Sequence, residues 1–136
     1  MTVSREPSPN DQRVAFYARI ASHPFDGWLE HQLVPAKALL EAHKDWTLSS
    51  VYADEGIPAS QHRPQLEAML NASDAGEIDI VITASMTRLA RGMADLAKII
   101  ERLSRSGTKL ILLKEGVNTD EAPFTALFAG ISERRV

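Results

Sequence analysis

The 136-residue sequence contains no cysteine. That removes disulfides, thiolate metal sites and cysteine nucleophiles together, and it fits a cytosolic chain. No apolar run approaches the roughly 20 residues needed to cross a bilayer, so no membrane partner is expected. The stretch from Met1 to Gln12 holds two prolines and no apolar segment of the kind a secretory signal needs, and it reads as a loose, disordered tail. His23, His31, His43 and His62 show neither HxH nor HExxH spacing, so neither a metal nor another cofactor is expected. A basic excess is missing as well: 15 Lys and Arg against 18 Asp and Glu give a net charge of −3. A protein that grips duplex DNA unaided carries a basic face. The charge balance therefore argues for weak DNA binding or none, while leaving room for a local arginine cluster that handles one phosphate.

What is present is the composition of a soluble globular protein, 44% hydrophobic and 24% charged, at a length that suits one domain. Arg13 to Ile20 has strand content, with Val14, Phe16, Ala18 and Ile20 alternating to one side. After a break holding Pro24 and Gly27, Trp28 to His43 reads as a helix with Leu29, Leu33, Ala36, Leu40 and His43 on one stripe. Pro35 is a point where that helix bends or starts late. Trp46 to Ala53 is a second strand, ending in Asp54-Glu55, and Pro64 suits the first position of a short helix through Leu66, Met69 and Leu70. Ile78 to Thr83 is nearly all apolar, as befits a central parallel strand covered on both faces. A loop from Ala84 to Arg91 leads to a helix from Met93 to Ser106, capped by Gly107. Lys109 to Leu113 is a fourth strand, and Pro123 to Val136 begins a last helix with Phe124, Leu127, Phe128 and Ile131 on its apolar side. That side is either a subunit interface or a surface packed on the sheet.

Strands alternating with helices predict an α/β fold: a mostly parallel sheet of four to five strands with helices on both faces. In such sheets the working groups lie on loops at the carboxyl ends of the strands. Arg19, Arg63, Arg88 and Arg91 all fall on those loops. Guanidinium forks suit paired contacts to phosphate oxygens. Arg88 and Arg91, three apart at the start of a helix, are expected on one helix face beside an N-terminus that favours anions. Position alone leaves a phosphate site and a solvated charged rim both open.

Tyr17-Ala18-Arg19-Ile20-Ala21-Ser22 resembles the Y-x-R-x-S strand that opens resolvases, invertases and large serine integrases. Leu29-Glu30-His31-Gln32 is similar to the family's S-L-x-x-Q segment, with Trp28 in place of its serine. Tyr52-Ala53-Asp54-Glu55-Gly56-Ile57 matches its acidic turn, and Arg63-Pro64 with Leu66 its R-P-x-L helix start. Thr87-Arg88-Leu89-Ala90-Arg91 is similar to D-R-L-x-R, Lys114-Glu115-Gly116-Val117-Asn118-Thr119 to the E-G-I-D-T turn, and Glu133-Arg134 to the E-R of the closing helix. On these motifs, in order from Arg13 to the end, residues 13–136 resemble the N-terminal catalytic domain of serine site-specific recombinases. The resemblance implies a bacterial, phage or plasmid mobile-element protein of the cytoplasm and nucleoid, acting in DNA integration or recombination. In that family a serine hydroxyl attacks the scissile phosphate in line, forming a 5′-phosphoserine link and freeing a 3′-hydroxyl without metal or cofactor. Arginines face the charge that develops on the phosphoryl oxygens. Carried over, Arg19, Arg88 and Arg91 hold the phosphate and Arg63 assists. Asp54 orients an arginine or the serine, and Gln32, Thr87 and Glu133 support the site.

The departures matter as much. Ala21 stands where the family carries its serine, and a methyl group cannot attack phosphorus. Three readings compete: a deliberate serine-to-alanine replacement, a natural inactivated relative, or a nucleophile moved to Ser22. The last requires a loop shift on the order of 3 Å, against an in-line geometry that tolerates little misplacement. Retention of all four arginines favours a recent loss or a working Ser22 over ancient decay. Thr87 replaces an aspartate where large serine integrases often carry a hydroxyl residue, and Pro58-Ala59 replaces a Ser-Gly pair. The family's long helix is expected to begin near the end of this chain, in full-length proteins pairing subunits into dimers and tetramers and leading to a DNA-binding domain. Against the enzyme stands a catalytically inactive recombinase-like module that dimerises with or regulates an active partner. A flavodoxin- or receiver-like domain lacks its marks, since neither a glycine-rich phosphate loop nor a receiver-type acidic cluster is present.

Overall fold

A computed structural model describes residues 11–20, 28–56 and 62–119. The expected last helix, Ala21, Ser22 and Glu133 lie outside the described residues. β1 (Gln12–Ile20), α1 (Trp28–Ala42), β2 (Trp46–Glu55), α2 (Pro64–Asp74) and β3 (Ile80–Thr83) come first. α3 (Met86–Leu89), α4 (Met93–Arg105), β4 (Lys109–Leu112) and β5 (Val117–Asn118) follow. The five strands form one sheet in the order β2-β1-β3-β4-β5, parallel except for β5, which runs against β4.

Side-chain alternation divides the core in two. Val14, Phe16, Ala18, Ile80, Ile82 and Ile111 face α1, where Leu33 and Ala36 cover them. Ala15, Tyr17, Val81, Leu110 and Leu112 face the other way, against Leu66, Met69 and Leu70 of α2 and Leu96, Ile99, Ile100 and Leu103 of α4. A strand buried on both faces has no polar alternation to display, which is why β3 is four apolar or hydroxyl residues, all buried. β2 at the sheet edge shows the opposite pattern, alternately half-buried and exposed over most of its length. At fully buried positions such as Leu96, Leu103 and Phe16, truncation to alanine costs about 2–5 kcal/mol.

Several expectations need correction. Gln12 is not tail but the first residue of β1, paired with Trp46, with its N–H on the Asp45 carbonyl at 2.8 Å. The segment from Ala84 to Arg91 is not all loop: Met86 to Leu89 form one helical turn. Gly107 follows the cap rather than being it. Ser106 ends α4, and Gly107 takes φ +75°, the left-handed conformation that turns the chain into β4. Pro35 does not delay α1, which runs through it from Trp28 to Ala42. No helix among the described residues is long and apolar enough to cross a membrane.

Candidate active site

β1 and β3 are adjacent and parallel, so their carboxyl ends bring Arg19 beside the turn carrying Arg88. The contact is direct. Arg88 Nη1 donates to the Arg19 carbonyl at 3.1 Å, and Arg19 Nη2 donates to the Thr87 carbonyl at 3.2 Å. From the other side, Gln32 of α1 donates Nε2 to the same Arg19 carbonyl at 3.3 Å. Arg63 completes the group, with Nη1 at 3.4 Å from the Arg88 carbonyl and its guanidinium carbon 6.0 Å from the centre of the Tyr17 ring.

Arg63 is only 6% exposed, an unusual state for arginine, and its position is set by a carboxylate from another element. Arg63 is the N-cap of α2 and Pro64 its first residue, so the next two backbone N–H groups have no acceptor inside the helix. Asp54, at the end of β2, supplies one. Its Oδ1 accepts from Gln65 N at 2.9 Å and its Oδ2 from Leu66 N at 3.0 Å. Oδ2 also accepts from the Tyr17 hydroxyl at 2.8 Å. Asp54 therefore bears on Arg63 through the backbone of α2, and it makes no ion pair with an arginine among the described residues. Burial, reinforced by the hydrogen bond to Asp54, pushes the Tyr17 hydroxyl well above its ordinary titration range.

Arg91 joins the group differently from the expectation. Arg88 belongs to α3, whereas Arg91 lies beyond Ala90, whose extended backbone (φ −130°, ψ 153°) breaks the helix before α4 begins at Met93. The two arginines do not share a helix face. Asp95 links Arg91 to the cluster instead: its Oδ2 accepts from Arg91 N at 2.9 Å and lies 3.7 Å from both Arg91 Nε and Arg63 Nη2. On the opposite flank, the Glu115 carboxylate accepts from Met86 N at 3.1 and 3.2 Å, tying down the start of the turn that carries Arg88. Thr87 is exposed, and its hydroxyl meets Ser85 Oγ at 3.0 Å.

The electrostatic consequence is an excess of positive charge. Burial, and then the neighbouring Arg88 and Arg63 guanidiniums, lower the pKa of Arg19 from its ordinary value. Two buried polar atoms here, Arg19 Nε and Gln32 Oε1, have no hydrogen-bond partner among the described residues. Such atoms cost on the order of 1–3 kcal/mol each unless something fills the need. Clustered cations with open donors suit a tetrahedral or trigonal-bipyramidal phosphate, whose equatorial oxygens accept several N–H groups at once. Among the described residues no group of three or more His, Asp or Glu is placed to hold a metal ion.

The structure thus brings Arg19, Arg63, Arg88 and Arg91 together with Gln32 and Thr87, with Asp54 one layer behind. Ala21, Ser22 and Glu133 lie outside the described residues. Sequence reasoning gave no role to Tyr17, Asp95 or Glu115. Asp95 was legible in principle, as an acid four residues after Arg91 in the first turn of a helix. Tyr17 and Glu115 act across 37 and 29 residues, separations that leave no local signal.

Comparison with known proteins gives the family and the fold. Residues 14–134 match the family described as Resolvase, N terminal domain. The Transposon Tn501 resolvase of Pseudomonas aeruginosa is 32% identical over 117 residues, covering 85% of this chain and 55% of the relative. The chain thus spans about half the length of the curated relatives it matches. In three dimensions the chain superposes on the N-terminal catalytic domain of TP901-1 integrase with a TM-score of 0.72 at 22% identity, covering 91% of this chain and 96% of that one. It also superposes on a resolvase family site-specific recombinase from Streptococcus pneumoniae with a TM-score of 0.64 at 20% identity, covering 92% and 89%. Those two likenesses speak to the fold.

Proposed function

The chain belongs to the resolvase N-terminal domain family, and from that premise we propose that it is the catalytic domain of a serine recombinase that cleaves and exchanges DNA strands. The observation that carries the reading is the convergence of Arg88 on the Arg19 carbonyl and of Arg63 on the Arg88 carbonyl, with Arg91 joined through Asp95. A serine hydroxyl attacks the scissile phosphorus and the 3′-oxygen departs, leaving a 5′-phosphoserine link and a free 3′-hydroxyl. The guanidiniums stabilise the charge that builds on the non-bridging oxygens, the role a metal ion plays in other phosphoryl-transfer sites. In this reading Gln32 holds the carbonyl of Arg19, Asp54 fixes α2 and hence Arg63, and Glu133 supports the site from the closing segment. DNA and further copies of the chain, as dimers and tetramers of the full-length protein, are the partners.

Ala21, at the nucleophile's place, has no hydroxyl. That observation supports a second reading, in which the domain is a catalytically inactive partner that dimerises with or regulates an active recombinase. The two separate in one experiment. The chain fused to a DNA-binding domain is mixed with a nicked suicide substrate, and covalent protein–DNA complex is resolved by denaturing electrophoresis. A covalent band lost in Ser22→Ala assigns the nucleophile to Ser22. A band formed only after Ala21→Ser identifies a site that is intact but disarmed. Absence of a band in both leaves the inactive module and removes the enzyme.

A further inference from the structure

Two grooves open from the arginine cluster, one on each side. The first, about 310 Å3, runs between α2 and α4 and is lined by Arg63, Arg91 and Lys98 with Asp95. The second, about 550 Å3, lies between α1 and the ends of β3 and β4, lined by Gln32, Ser85, Thr87, Arg88 and Lys114. They meet at the cluster, since Arg63 of the first groove donates to the carbonyl of Arg88 in the second.

The distribution of unpaired charge follows the same line. Away from the grooves, three exposed cations face acids: Arg13 pairs with Asp79, Lys37 with Glu30 and Arg105 with Glu101. Arg102, which also lines the first groove, is balanced by its ion pairs with Asp74 and Glu67. Lys98 and Lys114 are exposed, and neither has an acidic partner among the described residues. One lines each groove. Arg91 lines the same groove as Lys98, its side chain 58% exposed and its Nε 3.7 Å from Asp95 Oδ2.

We infer that the two grooves form one continuous track for a DNA strand across the carboxyl edge of the sheet. In this track Lys114 and Lys98 contact phosphates on either side of the one held by the arginines. The proposal rests on the phosphate-site reading above and adds a path and two contacts to it. Successive phosphates advance only about 3.4 Å along the axis of one strand, so a phosphate held at the cluster has close neighbours on both sides, where the two grooves open. Lysine suits the flanking places, where a mobile point charge tolerates a changing geometry. The forked arginines remain at the centre, where geometry is fixed. A contact that only positions the backbone carries no sequence information, so the track is expected to act on any DNA sequence.

The test is the salt dependence of binding. The 136-residue chain is titrated at low salt against a labelled mixed-sequence duplex of about a dozen base pairs, with anisotropy as readout, for wild type, K98Q, K114Q, the double variant and K37Q. Each lost phosphate contact lowers the slope of log K against log salt by about 0.9. The expectation is a loss near that value for K98Q and for K114Q, about twice it for the double variant, and little change for K37Q, which alters net charge equally but lies outside both grooves. Equal effects of K37Q and the groove variants would mean a general charge effect and would overturn the track. Unchanged slopes in K98Q and K114Q overturn it too, while leaving the arginine site standing if Arg88→Ala still abolishes binding. No binding by the wild-type chain at low salt also overturns the track, and the covalent assay then decides the site by itself.

Discussion

Replacing Asp54 by alanine strips three hydrogen bonds from one buried carboxylate, those from Tyr17 Oη, Gln65 N and Leu66 N. The two backbone donors make up the N-terminal cap of α2, and losing a cap costs about 1 kcal/mol, within a range of about 0.5–2. The Tyr17 hydroxyl, fully buried in the core, would lose its carboxylate acceptor at a cost of about 1–3 kcal/mol. These losses share one acceptor and do not add fully. The expected total is about 3 kcal/mol, a large part of the roughly 5–15 kcal/mol that holds a domain together. For a chain of this length that corresponds to a fall in Tm of about 10 °C. Asp54→Asn keeps one acceptor oxygen but turns an amide donor toward existing donors, and should lose about half as much. Tyr17→Phe alone should cost about 1 kcal/mol, because it removes one donor and leaves Asp54 two others. Urea unfolding followed by circular dichroism gives all four free energies, including that of the double variant. A coupling of about 1 kcal/mol between the two sites is expected, since neither residue has the shared bond once the other is gone. Asp54→Ala within 0.5 kcal/mol of wild type, or strict additivity in the cycle, would refute the claim that this carboxylate fixes α2 and with it Arg63.

Other outcomes follow from the same contacts. The Tyr17 hydroxyl titrates higher in the folded than in the unfolded chain, so its contribution is fully present below pH about 10 and fades as pH rises above it. Unfolding curves at alkaline pH should show that decline in wild type, and it should shrink in Tyr17→Phe. Asp79 behaves with the opposite sign: its hydrogen bonds from Arg13 hold its pKa below the usual carboxylate value. Stability from this pair is therefore present at neutral pH and lost on acidification below about 4. With both side chains partly in water, Asp79→Asn should cost less than about 1 kcal/mol at neutral pH and nothing measurable at pH 2. Glu115→Ala frees the Met86 N–H, and hydrogen exchange at that amide should rise about fivefold, corresponding to roughly 1 kcal/mol of lost cap. Protection of Met86 equal to wild type would show that the turn bearing Arg88 stands without Glu115.

The sequence by itself determined the four longer strands and the helices α1, α2 and α4 between them, though not α3. Val14, Phe16, Ala18 and Ile20 announced a strand by period-two spacing, and the apolar run ending at Thr83 announced one covered on both faces, because burial selects side chains locally along each element. It also determined which arginines belong to the carboxyl edge, since a parallel α/β sheet puts every strand-to-helix connection there. How those arginines meet was decided only in three dimensions. Arg88 and Arg91 look like helix neighbours at a spacing of three, but the extended Ala90 separates them, and Asp95 rather than a shared face joins Arg91 to Arg63. Asp54 reads as part of an acidic turn, and nothing local reveals that it caps α2 by accepting from an N–H 11 residues later. The reason is physical. Hydrophobic period reports what a residue buries, which its own element fixes. A hydrogen-bond partner is fixed by which elements the sheet order brings together, and for Tyr17 with Asp54 or Arg19 with Arg88 that order exists only once β1 lies between β2 and β3.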